Sequence, residues 1–238
     1  MATVTSSPEF GRSTPIPPLR NGDRLSAEEF ERRYAAMPEV KKAELINGVV
    51  YMPSPVRFVD HGRPHAHLMG WLVQYEAYTK GIECGDNSTV RLDSKNVPQP
   101  DALMRVRAEF GGRSRTVDGY VVGGPELAAE VSASTESYDL HEKLQTFVRS
   151  GVQEYVVWRV GDRAVDWFRL IDDRYEPLAL SPAGRYESLV LPGLWLDPLA
   201  LISGDMARVL EVAQLGVASA EHAAFVQRLQ SQHSTQET

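Results

Sequence analysis

The chain reads as a mixed α/β (α+β) protein, a β-sheet core flanked by helices. Three observations predict this. Helix-period segments alternate with short β-rich runs, and the turns between them are short. Two hairpin signals, Asn47-Gly48 and Gly161-Asp162, join consecutive strands, which argues against a purely parallel, doubly wound sheet. The 238 residues are 42% hydrophobic, which suits one folded domain with additions.

Residues 1–22, rich in Ser, Thr, Pro and Gly, read as a loose tail. Residues 23–204 are the expected domain, and 205–238 a helical extension with a polar tail. Ser26 is an N-cap, with Glu29 three residues on to complete a capping box and Phe30 and Tyr34 on the apolar stripe. Residues 43–52 form a hairpin that Pro53 and Pro55 terminate. A helix spans 64–78, with Pro64 in its first turn and Leu68, Met69, Trp71 and Leu72 on its apolar face.

Strands are expected near 89–92 and 101–106. The polar, glycine-containing stretch 109–119 reads as a loop at the mouth of a site. Residues 126–132 form a strand on which Leu127, Ala129 and Val131 face one way and Ala128, Glu130 and Ser132 the other. Ser134 or Thr135 caps a helix running to Arg149, and Gly151 stops it. Leu140, Leu144, Phe147 and Val148 form its apolar stripe, with Glu136, Asp139 and Lys143 on one flank. Strands at 154–160 and 164–170 follow, then a loop and short helix at 192–203. A helix or helix pair at 206–230 is weakened at Gly216.

The net charge of −7 argues against a broad nucleic-acid-binding face. Arg105, Arg107, Arg113 and Arg115 crowd one stretch, which reads as a solvated loop or a local basic groove. Cys84 is the single cysteine, so it forms neither an intramolecular disulfide nor a Cys-based zinc site, and it reads as a half-buried strand thiol. No apolar run is long enough to span a bilayer, and the N-terminus lacks an apolar secretory segment. The expectation is a soluble, cytoplasmic protein without a membrane partner. A Walker loop, a Gly-X-Gly-X-X-Gly loop and a Gly-X-Ser-X-Gly elbow are all missing from the sequence, so nucleotide-binding and α/β-hydrolase readings lack support.

Chemistry concentrates on Glu44, Asp101, Glu130 and Lys143. Two carboxylates on neighbouring strands can hold a hard divalent cation, and a lysine beside them can orient a water. Glu130 lies among Ala and Val, where an unpaired carboxylate is expensive, so it binds a cation, takes an arginine partner or stays protonated. Each position also has a plainer reading. Asp101 after Pro100 suits a turn, Glu44 suits a pair with Lys41 or Lys42, and Lys143 suits a surface pair with Asp139. Asp93 is a weaker acidic candidate. His61 and His65 have zinc-pair spacing without a completing ligand, so one histidine bordering a cleft, His61, is the better reading.

The order Glu44-Leu45-Ile46-Asn47-Gly48, Pro100-Asp101, Glu130-Val131-Ser132, Asp139, Lys143, Gly151-Val152-Gln153-Glu154-Tyr155 and Leu191-Pro192-Gly193-Leu194 resembles a large bacterial family of putative restriction endonucleases. That family is expanded in cyanobacteria and planctomycetes and lies within the PD-(D/E)xK nuclease superfamily. The resemblance covers residues 25–203. It implies a restriction-endonuclease-like mixed β-sheet core flanked by helices, with the site at one edge of the sheet. It implies that Asp101 and Glu130 are metal ligands together with the Val131 carbonyl, that Lys143 is the migrated catalytic lysine, and that Glu44 is an added acidic group. Ser132 stands where most of the superfamily keeps lysine; Ser132, His61 and Asp139 are accessory candidates. The expected activity is a Mg²⁺-dependent (or Mn²⁺-dependent) endonuclease acting on DNA. Many nucleases dimerise to cut both strands, and the C-terminal helix is a candidate homodimer surface. The alternative is a catalytically silent module that keeps the fold and binds nucleic acid or a protein.

Overall fold

A computed structural model of the chain describes residues 15–53, 57–132 and 142–236. The N-terminal helix α1 (Ala27–Ala35) packs beside the hairpin of β1 (Glu44–Ile46) and β2 (Val49–Tyr51). Asn47 and Gly48 both take positive φ, 52° and 76°, as the tight turn between these strands requires. Ser26 Oγ accepts from Glu29 N at 3.3 Å. The capping box is only half made, because the Glu29 carboxylate turns outward to Arg32 and Arg33. The expected loose segment up to residue 22 includes Leu19, which is buried against this subdomain, and Gly22 N donates to Val50 O.

Among the described residues, the central sheet has six strands: β3 (Ile82–Asp86), β5 (Ala102–Val106), β8 (Leu127–Ser132), β9 (Glu154–Arg159), β10 (Ala164–Ile171) and β11 (Arg174–Pro177). Their spatial order is β11-β10-β9-β8-β5-β3. Only β8 and β9 run parallel; every other neighbouring pair is antiparallel. This is the mixed sheet that the hairpin signals predict. The stretch 109–119 departs from its expected loop. It opens in a 3-10 turn (Ala108–Phe110), and its last residues belong to a second hairpin, β6 (Arg115–Val117) and β7 (Tyr120–Val122), turned at Asp118 and Gly119 with positive φ at both. The strand expected at 89–92 contracts to β4 (Val90–Arg91), which pairs with β7 rather than with the central sheet. A last small pair, β12 (Tyr186–Glu187) and β13 (Trp195–Leu196), closes the domain.

Side chains on one sheet face, among them Ala102, Met104, Leu127, Ala129, Val131, Val156 and Trp158, form the main core. That core is covered by α2 (Arg63–Tyr78), α4 (Pro198–Ser203), α5 (Met206–Val217) and α6 (Ala220–Gln236). The opposite face carries Ala128, Tyr155 and Val157 under α3 (Leu144–Arg149), whose Phe147 is buried there. α3 is the described end of the helix expected from residue 134; Ser134, Thr135, Glu136 and Asp139 lie outside the described residues. The C-terminal helices are part of the main core, to which they contribute Val209, Ala213, Phe225 and Leu229. Gly216 does not break α5. A Cβ there would sit 2.1 Å from Gly193 O, so glycine admits a close backbone approach, and the helix ends at the next residue, Val217. No helix among the described residues is long and apolar enough to cross a membrane.

Candidate active site

The sheet register brings two acids together. Ala102 pairs with Ala129 and Leu103 with Ala128, so Asp101 falls opposite Glu130, one step beyond the last pair. Alternation puts both on the α3-covered face, with Cβ atoms about 5 Å apart for such opposed positions. Both are buried, Asp101 at 2% exposure and Glu130 at 3%. Neither is paired with an arginine among the described contacts.

Lys143 enters from the N-terminal end of α3. Its Nζ lies 2.7 Å from Glu130 Oε1 and 3.0 Å from Glu44 Oε1, with the side chain 2% exposed. It is therefore a buried ion pair with two carboxylates, not a surface pair. Glu44, on β1, also accepts from Gln99 N at 2.6 Å. That bond pins the segment leading into Asp101, so the hairpin, the sheet and α3 meet at one cluster.

Asp101 is held by its own partners. Lys42 Nζ is 2.7 Å from Oδ1, His61 Nε2 is 3.0 Å from Oδ2, and Val131 N donates to Oδ2 at 2.9 Å. Burial pushes the Asp101 carboxyl up, but the His61 hydrogen bond and the Lys42, His61 and Lys143 charges overcome it and hold the group well below the usual carboxylate range. Burial pulls the Lys42 ammonium down, and the Glu130 and Asp101 carboxylates outweigh that and leave it raised. His65 Nε2 lies 2.8 Å from Asp101 O and 3.1 Å from Asp86 Oδ1, so a π-helical turn (Phe58–Gly62) and the start of α2 grip the acid from both its ends.

Val131 supplies backbone to the same spot. Glu126 O and Ser132 O accept from β9-side amides, so the even-numbered residues of β8 turn their main-chain groups toward β9. Val131 turns both its N–H and its C=O toward the β5 side, where Asp101 takes the N–H. Ser132 is 3% exposed, and among the described residues its Oγ is buried without a hydrogen-bond partner.

The donor set can be tested for a hard cation. The cluster gathers three carboxylates, from Glu44, Asp101 and Glu130, against two ammonium groups, from Lys42 and Lys143, and the Val131 carbonyl points to the same side. The Nε2 atoms of His61 and His65 are spent on Asp101, and the remaining donors are oxygen, the preference of Mg²⁺ and Mn²⁺ rather than of zinc. Among the described residues no three His, Cys, Asp or Glu side chains form a ready coordination group. A site of one or two carboxylates with waters is the usual protein share for Mg²⁺, so the residues fit that ion.

Other sequence candidates go elsewhere. Asp93 accepts from Lys95 N and Asn96 Nδ2 in a local turn. Arg105 is no solvated loop residue: it is buried on β5, bonded to Glu83 and Thr116. Arg107 pairs with Glu109, and Arg113 donates to Gly151 O, so these arginines brace loops. Burial pushes the half-buried Cys84 thiol on β3 up to about 12. The sequence reading missed Lys42, His65 and Gln99 as members of the cluster. Lys42 had a usable signal, since it lies two residues before Glu44 and so on the same side of an extended segment.

The Uma2 family model, described as putative restriction endonuclease, matches residues 27–200. The chain belongs to this family. A crystal structure described as a putative nuclease belonging to DUF820, from Anabaena variabilis, superimposes with a TM-score of 0.52 at 13% identity. The match covers 72% of this chain and 97% of that one, and at such identity it shows a shared fold. No curated protein matches the chain. The Uma2 match spans the whole cluster, from Lys42 and Glu44 through Asp101 and Glu130 to Lys143.

Proposed function

We propose that the protein is a Mg²⁺-dependent endonuclease that hydrolyses phosphodiester bonds in DNA, with Mn²⁺ able to replace Mg²⁺. One observation carries this reading: Asp101, Glu130 and Glu44, from three separate parts of the chain, converge with Lys143 in one buried cluster at the end of the paired strands β5 and β8. A family of restriction-endonuclease type supports it.

Asp101, Glu130 and the Val131 carbonyl would hold the ion. Bound there, it supplies positive charge at the phosphate and a more acidic water. Lys143 bridges and aligns Glu130 and Glu44, and its charge offsets charge that grows on the phosphate oxygens. Glu44 orients the attacking water. The water oxygen bonds to phosphorus as the bond to the leaving O3′ breaks. The electron pair departs on O3′, which takes a proton from solvent, and the water's own proton passes to solvent. Ser132, His61 and Asp139 remain accessory candidates; of these, His61 orients Asp101 directly.

Plasmid cleavage with Mg²⁺ or Mn²⁺ tests this. The Asp101→Ala/Glu130→Ala double variant is expected to cut at least ~100-fold more slowly than the wild type, the scale of lost electrostatic stabilisation. Equal cutting by both proteins would remove this site from the mechanism. The second reading, a silent module, is favoured by the net charge of −7 and by the internal partners on both Asp101 oxygens. It predicts no cutting and no Mn²⁺ binding by calorimetry. The C-terminal helices, the candidate homodimer surface, bury apolar residues in the protein's own core.

A further inference from the structure

We propose that Lys42 is the amine that meets the substrate phosphate, and that it rests on Asp101 until a metal ion displaces it. This rests on the nuclease reading above and adds a residue to the same site.

The two lysines of the cluster are placed differently. Lys143 Nζ lies between Glu130 and Glu44, at 2.7 and 3.0 Å, with its side chain 2% exposed. To touch a phosphate it would have to leave two buried carboxylates. Lys42 Nζ has one carboxylate contact, Asp101 Oδ1 at 2.7 Å, and its side chain is 22% exposed. It reaches the cluster from just before β1 on a flexible stem, so it can move without disturbing the core.

The oxygens of Asp101 also differ. Oδ2 takes the Val131 N–H and His61. Oδ1 takes Lys42, so it is the oxygen on which an arriving cation must settle. Two cations on one oxygen repel, and the mobile one yields. Lys42 then keeps Asn87 Oδ1, now 3.4 Å from its Nζ, as an anchor beside the vacated oxygen. There its ammonium presents its remaining N–H donors to a non-bridging phosphate oxygen.

The test uses the full chain as wild type, Lys42→Gln and Lys42→Arg. Mn²⁺ alone is titrated by calorimetry, and plasmid cleavage gives kcat and KM. Lys42→Gln is expected to bind Mn²⁺ ~5-fold more tightly, because a screened competing charge is gone. Its kcat is expected to fall ~100-fold, and Lys42→Arg should regain part of that loss. Mn²⁺ affinity that is unchanged or weaker in Lys42→Gln overturns the proposal, and so does a kcat within about twofold of wild type. If wild type and the Asp101→Ala/Glu130→Ala variant match in both Mn²⁺ binding and cleavage, the nuclease reading itself has failed.

Discussion

The parallel strands β8 and β9 each bury a carboxylate at the start, and β8 buries another toward its far end; the two ends satisfy them by different means. At their starts, Glu126 accepts from Val106 N at 2.8 Å and from Arg113 N. Glu154 accepts from Ser188 Oγ, Leu189 N, Val190 N and Trp167 Nε1. These donors are neutral and fixed in the backbone or core. Burial pushes both carboxyls above their ordinary value, and the hydrogen bonds only oppose it. Farther along β8, Glu130 and its neighbours Glu44 and Asp101 are met by the ammonium groups of Lys143 and Lys42. A carboxylate locked to main-chain amides has no reason to exchange its partner. One that is neutralised by lysines sits in a field already suited to cations, and one of those lysines, Lys42, is partly exposed on a flexible stem. The first end is construction; the second has the electrostatics of a site.

The comparison can be broken most forcefully at Lys143. Lys143→Met leaves Glu44 and Glu130 buried without their shared cation, which should destabilise the protein by about 3–5 kcal/mol in urea unfolding. A loss under about 1 kcal/mol would mean that the two carboxylates do not depend on Lys143 for their charge.

A smaller effect separates the ends by the sign of their pH dependence. The folded pKa of Glu126 is raised above 4.5, so its contribution is fully present below pH 4.5 and is lost as pH rises through the folded value. The folded pKa of Asp101 is lowered below 3.8, so its contribution is present above pH 3.8 and is lost as pH falls through the folded value. Urea unfolding of wild type and Glu126→Gln between pH 4.5 and about 7.5 should therefore show the variant gaining on wild type as the pH rises. A difference that is flat with pH would show that the amide donors keep Glu126 ionised throughout.

The smallest effect is at Ser132, whose buried Oγ finds no hydrogen-bond partner among the described residues. Ser132→Ala should raise stability by up to ~1 kcal/mol, since it removes a buried polar group without a partner. Cleavage should stay within about twofold of wild type. A large loss of cleavage with unchanged stability would give the hydroxyl a role at the site end that the backbone-satisfied end has no counterpart for.

Much of the local architecture was legible in the sequence. The Asn47-Gly48 turn, the face alternation on β8 and the helix 63–78 follow from turn chemistry and hydrophobic period, which are local properties. The hairpin at 115–122 was missed because the polar residues around it masked the Asp118-Gly119 turn signal that lies inside them. Glu44, Asp101, Glu130 and Lys143 were picked out by residue type and by family resemblance. Glu126 and Glu154 look no different in the sequence, since a buried glutamate in an apolar run reads the same at either end of a strand.

By itself the sequence determined most of the segments that become strands and helices and the face that each β8 side chain takes, because these depend on neighbours a few residues away. Only the tertiary structure decided who partners each charge: Lys143 with Glu130 and Glu44, Lys42 with Asp101, and main-chain amides with Glu126. Those pairings join positions up to 99 residues apart in the chain, as from Glu44 to Lys143. They depend on how far each group is removed from water, which is set when the sheet and its covering helices close together.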